Sequence, residues 1–211
     1  MINTILFDLD GVLIDSLPVM SLAWADVQST LKIEQPFSSY QNHIGIPFEN
    51  ILAELGIDPI LYPQIKNIYS RASETHINSV RVMPYAKQLL HDLLTFDYKI
   101  ALVTSKDHDR TKSLIKHLNL PIDIFITPES TCRGKPFPDP IFKALDILGE
   151  SVSTSLFIGD MISDMQSARA SGIYYAHFNG GYQPYNPAQC IYYGLAIDSL
   201  YDLYQLLSLR V

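Results

Sequence analysis

Short, largely apolar runs recur along the chain with segments of helical periodicity between them: TILF (4–7), KIALV (99–103), IDIFI (122–126) and SLFI (155–158). Near-continuous runs of this length are the pattern of strands buried on both faces. Stretches 83–94, 109–118 and 139–148 instead repeat apolar positions every three or four residues, which predicts helices. In the last of them Asp139 is placed to cap the helix and Pro140 suits its first position. Strands alternating with helices predict an α/β fold with a doubly wound, Rossmann-like parallel sheet.

Residues 15–80 break this rhythm. The stretches 17–33, 48–57 and 60–77 read as successive helices separated by Pro or Gly, with no convincing strand. The economical reading is a small all-helical cap domain over 15–80, inserted into a core domain made of 1–14 and 81–211. Its linkers are expected near 12–17 and 79–84. Trp24, Tyr62 and Tyr69 fall at helical positions where core packing is expected.

The chain has 211 residues, 47% hydrophobic and 18% charged, which is ample material for a core and carries no signature of disorder. A net charge of −7 with no basic run argues against nucleic acid as a partner. No apolar run approaches the ~20 residues that span a bilayer. The first residues lack the basic and apolar regions of a leader, so a cytoplasmic location is expected. Cys132 and Cys190 read as ordinary thiols, and the six histidines form no HxxxH pair that would suggest zinc.

The chemistry lies where the apolar runs end. Asp8 and Asp10 follow the first run, Thr104 and Ser105 the second, Lys135 lies beyond the third, and Asp160 and Asp164 follow the fourth. Ligands of open α/β sheets bind at that carboxyl edge. Asp8 and Asp10 lie two apart, so on an extended chain both point to one side, where two carboxylates resist ionising together. A hard divalent cation relieves this, and Mg²⁺ fits oxygen ligands best. Lys135 and a hydroxyl at 104 or 105 would then hold phosphate oxygens. Asp8 can serve as a nucleophile toward phosphorus, with Asp10 as general acid and base.

FDLDGVLIDS, VTS, GKPFPD and GDMISD, in this order, resemble the four motifs of the haloacid dehalogenase superfamily, and the helical insertion resembles its small helical cap. The resemblance spans nearly the whole chain and is nearest to the phosphoglycolate phosphatase-like branch. It implies a Mg²⁺-dependent phosphatase acting on a small phosphorylated metabolite, phosphoglycolate- or sugar-phosphate-like, through an aspartyl-phosphate. It also implies Asp8 as nucleophile and metal ligand, Asp10 as acid/base and as a metal contact through its backbone carbonyl, and Thr104 as the phosphate-binding position beside Ser105. Lys135 becomes the phosphate clamp, Asp160 a metal ligand and Asp164 its support.

Met161 departs from the Ser or Thr that often follows the first Asp of the fourth motif. Family dehalogenases lack an Asp two residues after the nucleophile, so Asp10 favours phosphoryl chemistry. A sugar-phosphate mutase shares all four motifs, and a non-catalytic phosphometabolite-binding protein keeps the scaffold, so both stay open. In the cap, the stretch NHIGIPFEN (42–50) is expected to be a substrate-facing lid, where His43, Gly45 or their neighbours help select the leaving group.

Overall fold

The computed structural model describes residues 2–183, 186 and 195–208. In chain order the elements begin with β1 (Thr4–Phe7), β2 (Ile14–Asp15), α1 (Leu17–Leu31), α2 (Phe37–Gln41), α3 (Phe48–Glu54), α4 (Tyr62–Thr75) and β3 (Arg81–Val82). They continue with α5 (Ala86–Thr95), β4 (Lys99–Val103), α6 (His108–Leu118), β5 (Phe125–Ile126), α7 (Asp139–Leu148) and β6 (Ser155–Gly159). The last are α8 (Ile162–Ser171), β7 (Tyr174–Phe178), β8 (Leu195–Ile197) and α9 (Leu200–Ser208).

Six strands form one parallel sheet in the order β5-β4-β1-β6-β7-β8. Strand β1 sits at the centre because its residues alternate between two apolar layers. Ile5 and Phe7 pack on one side with Leu89 and Leu90 of α5 and Leu114 of α6. Leu6 packs on the other side with Ile141 and Ala144 of α7 and Met165 of α8. A strand buried on both faces needs both layers, and this explains its unbroken apolar run. The strand order reverses at β1, so the crevice at its carboxyl end is the topological switch point of the sheet.

Helices α1, α3 and α4 gather a separate apolar cluster around Trp24, Leu52, Ile65 and Tyr69. Trp24 is fully buried, and its indole N–H donates to the Gln35 carbonyl at 2.8 Å. Tyr69 is buried as well, and Tyr62 packs at the edge of the cluster. Where the chain leaves and re-enters the core, β2 and β3 pair antiparallel, Ile14 with Val82 and Asp15 with Arg81. Two-residue strands carry no readable alternation, so the sequence shows only linkers there.

Four expectations need correction. The helix expected from Met83 begins at Ala86, because Tyr85 adopts a left-handed conformation (φ 64°) that interrupts helical geometry. The strand expected over 122–126 is confined to Phe125–Ile126, since Pro121 supplies no N–H and the Ile122 N–H turns back to the Leu120 carbonyl. Asp139 is the first helical residue of α7 and makes no cap; its carboxylate is held instead by Arg133 at 2.9–3.0 Å. Strands β7 and β8 extend the sheet beyond the four expected, and β7 escaped notice because its sequence YYAHF is not an aliphatic run. Cys132 is exposed, while Cys190 lies outside the described residues.

Replacing Trp24 by Ala removes the largest side chain of the helical cluster together with its hydrogen bond. The expected cost is about 3–5 kcal/mol, read as a lowered urea midpoint. Trp24→Phe should recover most of the loss.

Candidate active site

The register of β1 with its two neighbours builds the site. Phe7 pairs with Leu102 on one side and Ile158 on the other, so Asp8, Thr104 and Asp160 leave the sheet together at its carboxyl edge. Backbone hydrogen bonds fix the level: Asp8 N–H donates to the Ile158 carbonyl and Thr104 N–H to that of Ile126. Asp8, Thr104, Lys135, Asp160 and Asp164, all named from the sequence, are brought together here and buried.

Lys135 lies between carboxylates. Its Nζ donates to Asp8 Oδ1 at 2.8 Å and to Asp164 Oδ1 at 2.6 Å. Burial alone would lower the Lys135 pKa, but Asp164 and Asp8 overcome it and hold the ammonium above its ordinary value. Asp164, in the first turn of α8, accepts the backbone N–H groups of Asp160 and Met161 on its other oxygen. Carboxylate oxygens of Asp8, Asp160 and Asp164 lie within 4.8 Å of one another. Burial pushes the Asp8 carboxyl up to about 7, with Lys135 opposing and Asp164 and Asp10 adding to the rise. Asp160 is raised as well, by burial first and then by Asp164 and Asp8.

Asp160 supplies the test of whether a cation fits. One of its oxygens accepts the Tyr182 N–H at 2.6 Å, while Oδ1 is buried without a hydrogen-bond partner among the described residues. A buried, unpartnered carboxylate oxygen beside two further carboxylates is the donor set of a hard divalent cation. Two glycines make room for the Asp160 side chain. A Cβ on Gly11 (φ +85°) would stand 2.2 Å from Asp160 Oδ2, and one on Gly181 would stand 2.3 Å from Asp160 Cβ.

Asp10 is oriented differently. Ser16 Oγ donates to its Oδ1, and Lys106 Nζ lies 3.1 Å from its Oδ2. Tyr182 Oη in turn accepts the Ser16 N–H at 2.7 Å. The Asp10 carboxylate is therefore occupied by Ser16 and Lys106, and it stands outside the Asp8–Asp160–Asp164 cluster. The loop 178–183 borders the site through Tyr182 and through Gln183, whose side chain accepts the Ile162 N–H at 2.8 Å. Residues 184, 185 and 187, which follow this loop, lie outside the described residues.

A cavity of about 40 Å³ opens over Asp8 and Asp10, with Thr104, Ser105, Lys106 and Arg110 on the core side. Tyr40, Ile44, Gly45, Ile46 and Phe48 close it from the helical side. His43 is half-buried and is not among the lining residues; its neighbours are. The Gly45 carbonyl accepts from Ser105 Oγ at 2.9 Å and from Ser163 Oγ at 2.8 Å, tying the helical segment to the core. Met161, the departure in the fourth motif, packs into the helical cluster and lines the cavity.

Sequence reasoning missed Lys106, Arg110, Ser16 and Tyr182. For Lys106 a signal existed, since it directly follows Thr104 and Ser105 at the edge where ligands were expected. Arg110 carries no such signal, because its position on α6 reads as an ordinary solvated helix residue. It is one-tenth exposed, pairs with Asp107, and lies 5.1 Å from the Phe48 ring centre and 4.9 Å from that of Tyr69.

The chain is similar in sequence and in fold to known proteins. The family model of haloacid dehalogenase-like hydrolases matches residues 5–178. A phosphoglycolate phosphatase of Aquifex aeolicus is 27% identical over 173 residues, 81% of each chain. A protein of Clostridium perfringens, provisionally named as the pyrophosphatase PpaX, is 30% identical over 176 residues, 82% of this chain and 81% of its own. A solved hydrolase from Pseudomonas syringae superposes with a TM-score of 0.85 at 25% identity, covering 98% of both chains.

The charge arrangement makes a prediction about stability. In Lys135→Met, three buried carboxylates lose their cation, at a cost of roughly 3–5 kcal/mol in chelator-treated protein. The Asp8 and Asp160 carboxyls are protonated at higher pH in the folded than in the unfolded chain, so stability falls as pH rises toward and through the Asp8 value of about 7. The penalty should therefore be larger at about pH 8 than at about pH 5.5, as read by calorimetric unfolding.

Proposed function

The chain belongs to the haloacid dehalogenase-like hydrolase family, and from that premise we propose that it is a Mg²⁺-dependent phosphatase of small phosphorylated metabolites. The observation that carries the reading is the convergence of Asp8, Asp160 and Asp164 around Lys135, with one Asp160 oxygen unpartnered among the described residues, beside a small cavity. Relatives named for phosphoglycolate and pyrophosphate support a compact substrate.

In this reading Asp8 and Asp160 hold the cation, Asp10 contributes its backbone carbonyl, and Asp164 supports Asp160 through the backbone. The cation supplies positive charge to the phosphoryl oxygens and favours the ionised form of Asp8. An Asp8 carboxylate oxygen attacks phosphorus while the bond to the leaving oxygen breaks, and Asp10 donates a proton to that oxygen. Water then attacks the phosphorus of the aspartyl-phosphate, Asp10 takes its proton, and the bond to Asp8 breaks. Lys135 stabilises charge on the transferring group, and Thr104 and Ser105 donate hydrogen bonds to it. The segment 15–80 acts as the cap, excluding bulk water when closed.

Phosphate release from a panel of phosphorylated metabolites, with and without Mg²⁺, is the test. Wild type should require the metal, and Asp8→Asn should lose at least about 10³-fold in kcat. Acid-quenched wild type should carry hydroxylamine-labile phosphate that Asp8→Asn lacks. Metal-independent release, or release that survives in Asp8→Asn, would sink this reading.

A further inference from the structure

Arg110 has no part in the steps above, yet it is the least accounted-for charge around the cavity. Its Nε donates to Asp107 Oδ2, while its two terminal amino groups donate to no protein oxygen among the described residues. The guanidinium rests on Phe48 and Tyr69, whose ring centres are 4.8 Å apart, so helices α3 and α4 fix its plane. A rigid, nine-tenths-buried fork with two free donor groups is built for a planar or tetrahedral anion, because desolvated guanidinium donors need a charged acceptor. Lys106, on the same cavity wall, adds a second positive charge and is paired with Asp10.

The rest of the wall limits what the anion can belong to. Met20, Ile44, Ile46, Phe48, Ile51 and Met161 supply no hydroxyl partner. Tyr40, the one phenol on the wall, already donates to Tyr69 at 3.1 Å. Among the described residues, the free charged donors on this wall are those of Arg110, which pair more strongly with an anion than with a neutral hydroxyl.

We propose that Arg110, seconded by Lys106, binds a second anionic group on the substrate, so that the leaving group is a compact acid and not a sugar. This deepens the phosphatase reading and rests on it. Arg110 also borders a smaller hollow of about 20 Å³ that includes Glu74; a role confined to bracing the cap there is the competing account.

The experiment compares kcat/KM for phosphoglycolate, inorganic pyrophosphate and ethyl phosphate. Ethyl phosphate matches the first in length but has a neutral end. Wild type should favour one of the anionic substrates over ethyl phosphate by about 10- to 100-fold, and which one identifies the anion as carboxylate or phosphoryl. Arg110→Gln should bring that ratio close to one, mainly through KM, and Arg110→Lys should retain part of it. A wild-type ratio near one overturns the proposal. So does a ratio preserved in Arg110→Gln while all substrates fall together, which is the signature of a brace.

Calorimetric titration of Asp8→Asn and Asp8→Asn/Arg110→Gln with phosphoglycolate, against ethyl phosphate, reads the same contact without turnover. If wild type hydrolyses nothing, the phosphatase reading fails. Selective weakening of phosphoglycolate binding on loss of Arg110 then still supports the anion site. Binding that does not depend on Arg110, or no binding, overturns it.

Discussion

Three carboxylates, Asp8, Asp160 and Asp164, are held within 4.8 Å of one another in a buried place with the Lys135 ammonium between two of them. Much of the surrounding fold is arranged to hold that charge. Backbone N–H groups converge on it, from Asp160 and Met161 onto Asp164 and from Tyr182 onto Asp160. Side-chain bulk is withheld where Gly11 and Gly181 face Asp160 and where Gly159 faces Asp164. Such a cluster is costly to bury unless each oxygen is satisfied. The oxygen left over, Asp160 Oδ1, marks where the compensation is incomplete.

The same edge joins the core to the helical segment. Strand register fixes Thr104 and Asp160 relative to Asp8, and the residues just beyond them reach across the seam. Ser105 and Ser163 share the Gly45 carbonyl, Met161 packs among the helices, and Arg110 lies against Phe48 and Tyr69. Ser16, at the start of the helical segment, bonds both Asp10 and Tyr182. Displacement of the helices would therefore disturb Asp10 as well as the wall of the cavity, so the position of the helices and the placement of the Asp10 carboxylate are mechanically linked.

What the sequence made legible follows from how strongly each feature constrains residue type. A central parallel strand must be apolar on both faces, so β1, β4 and β6 stand out, and the polar residues ending them are conspicuous because they end such runs. The edge strand β5 is short, and β8 and the β2–β3 pair have at most three residues each, too few to impose a pattern. Asp8, Thr104, Asp160 and Asp164 stood out because each terminates or closely follows a central strand, and Lys135 because it lies in the loop beyond the third apolar run. Arg110 and Tyr182 were missed because their partners, Phe48 and Tyr69 for one and Ser16 and Asp160 for the other, are far away in the sequence. The stretch around His43 reaches the cavity through its neighbours Ile44 to Ile46, a choice among adjacent residues that depends on the turn and not on residue type.

Stability and ligand affinity are therefore set by the same residues. A cation bound by the folded chain and not by the unfolded one stabilises the fold by mass action. Here it would also remove the repulsion that raises the carboxyls of Asp8 and Asp160. Part of a cation's binding energy would thus be relief of a cost already present in the fold. Repacking the cluster with apolar side chains would remove that cost and the affinity together. The buried carboxylates are best understood as stability forgone at one point of the sheet, where the strand order reverses and a crevice exists to put the charge to use.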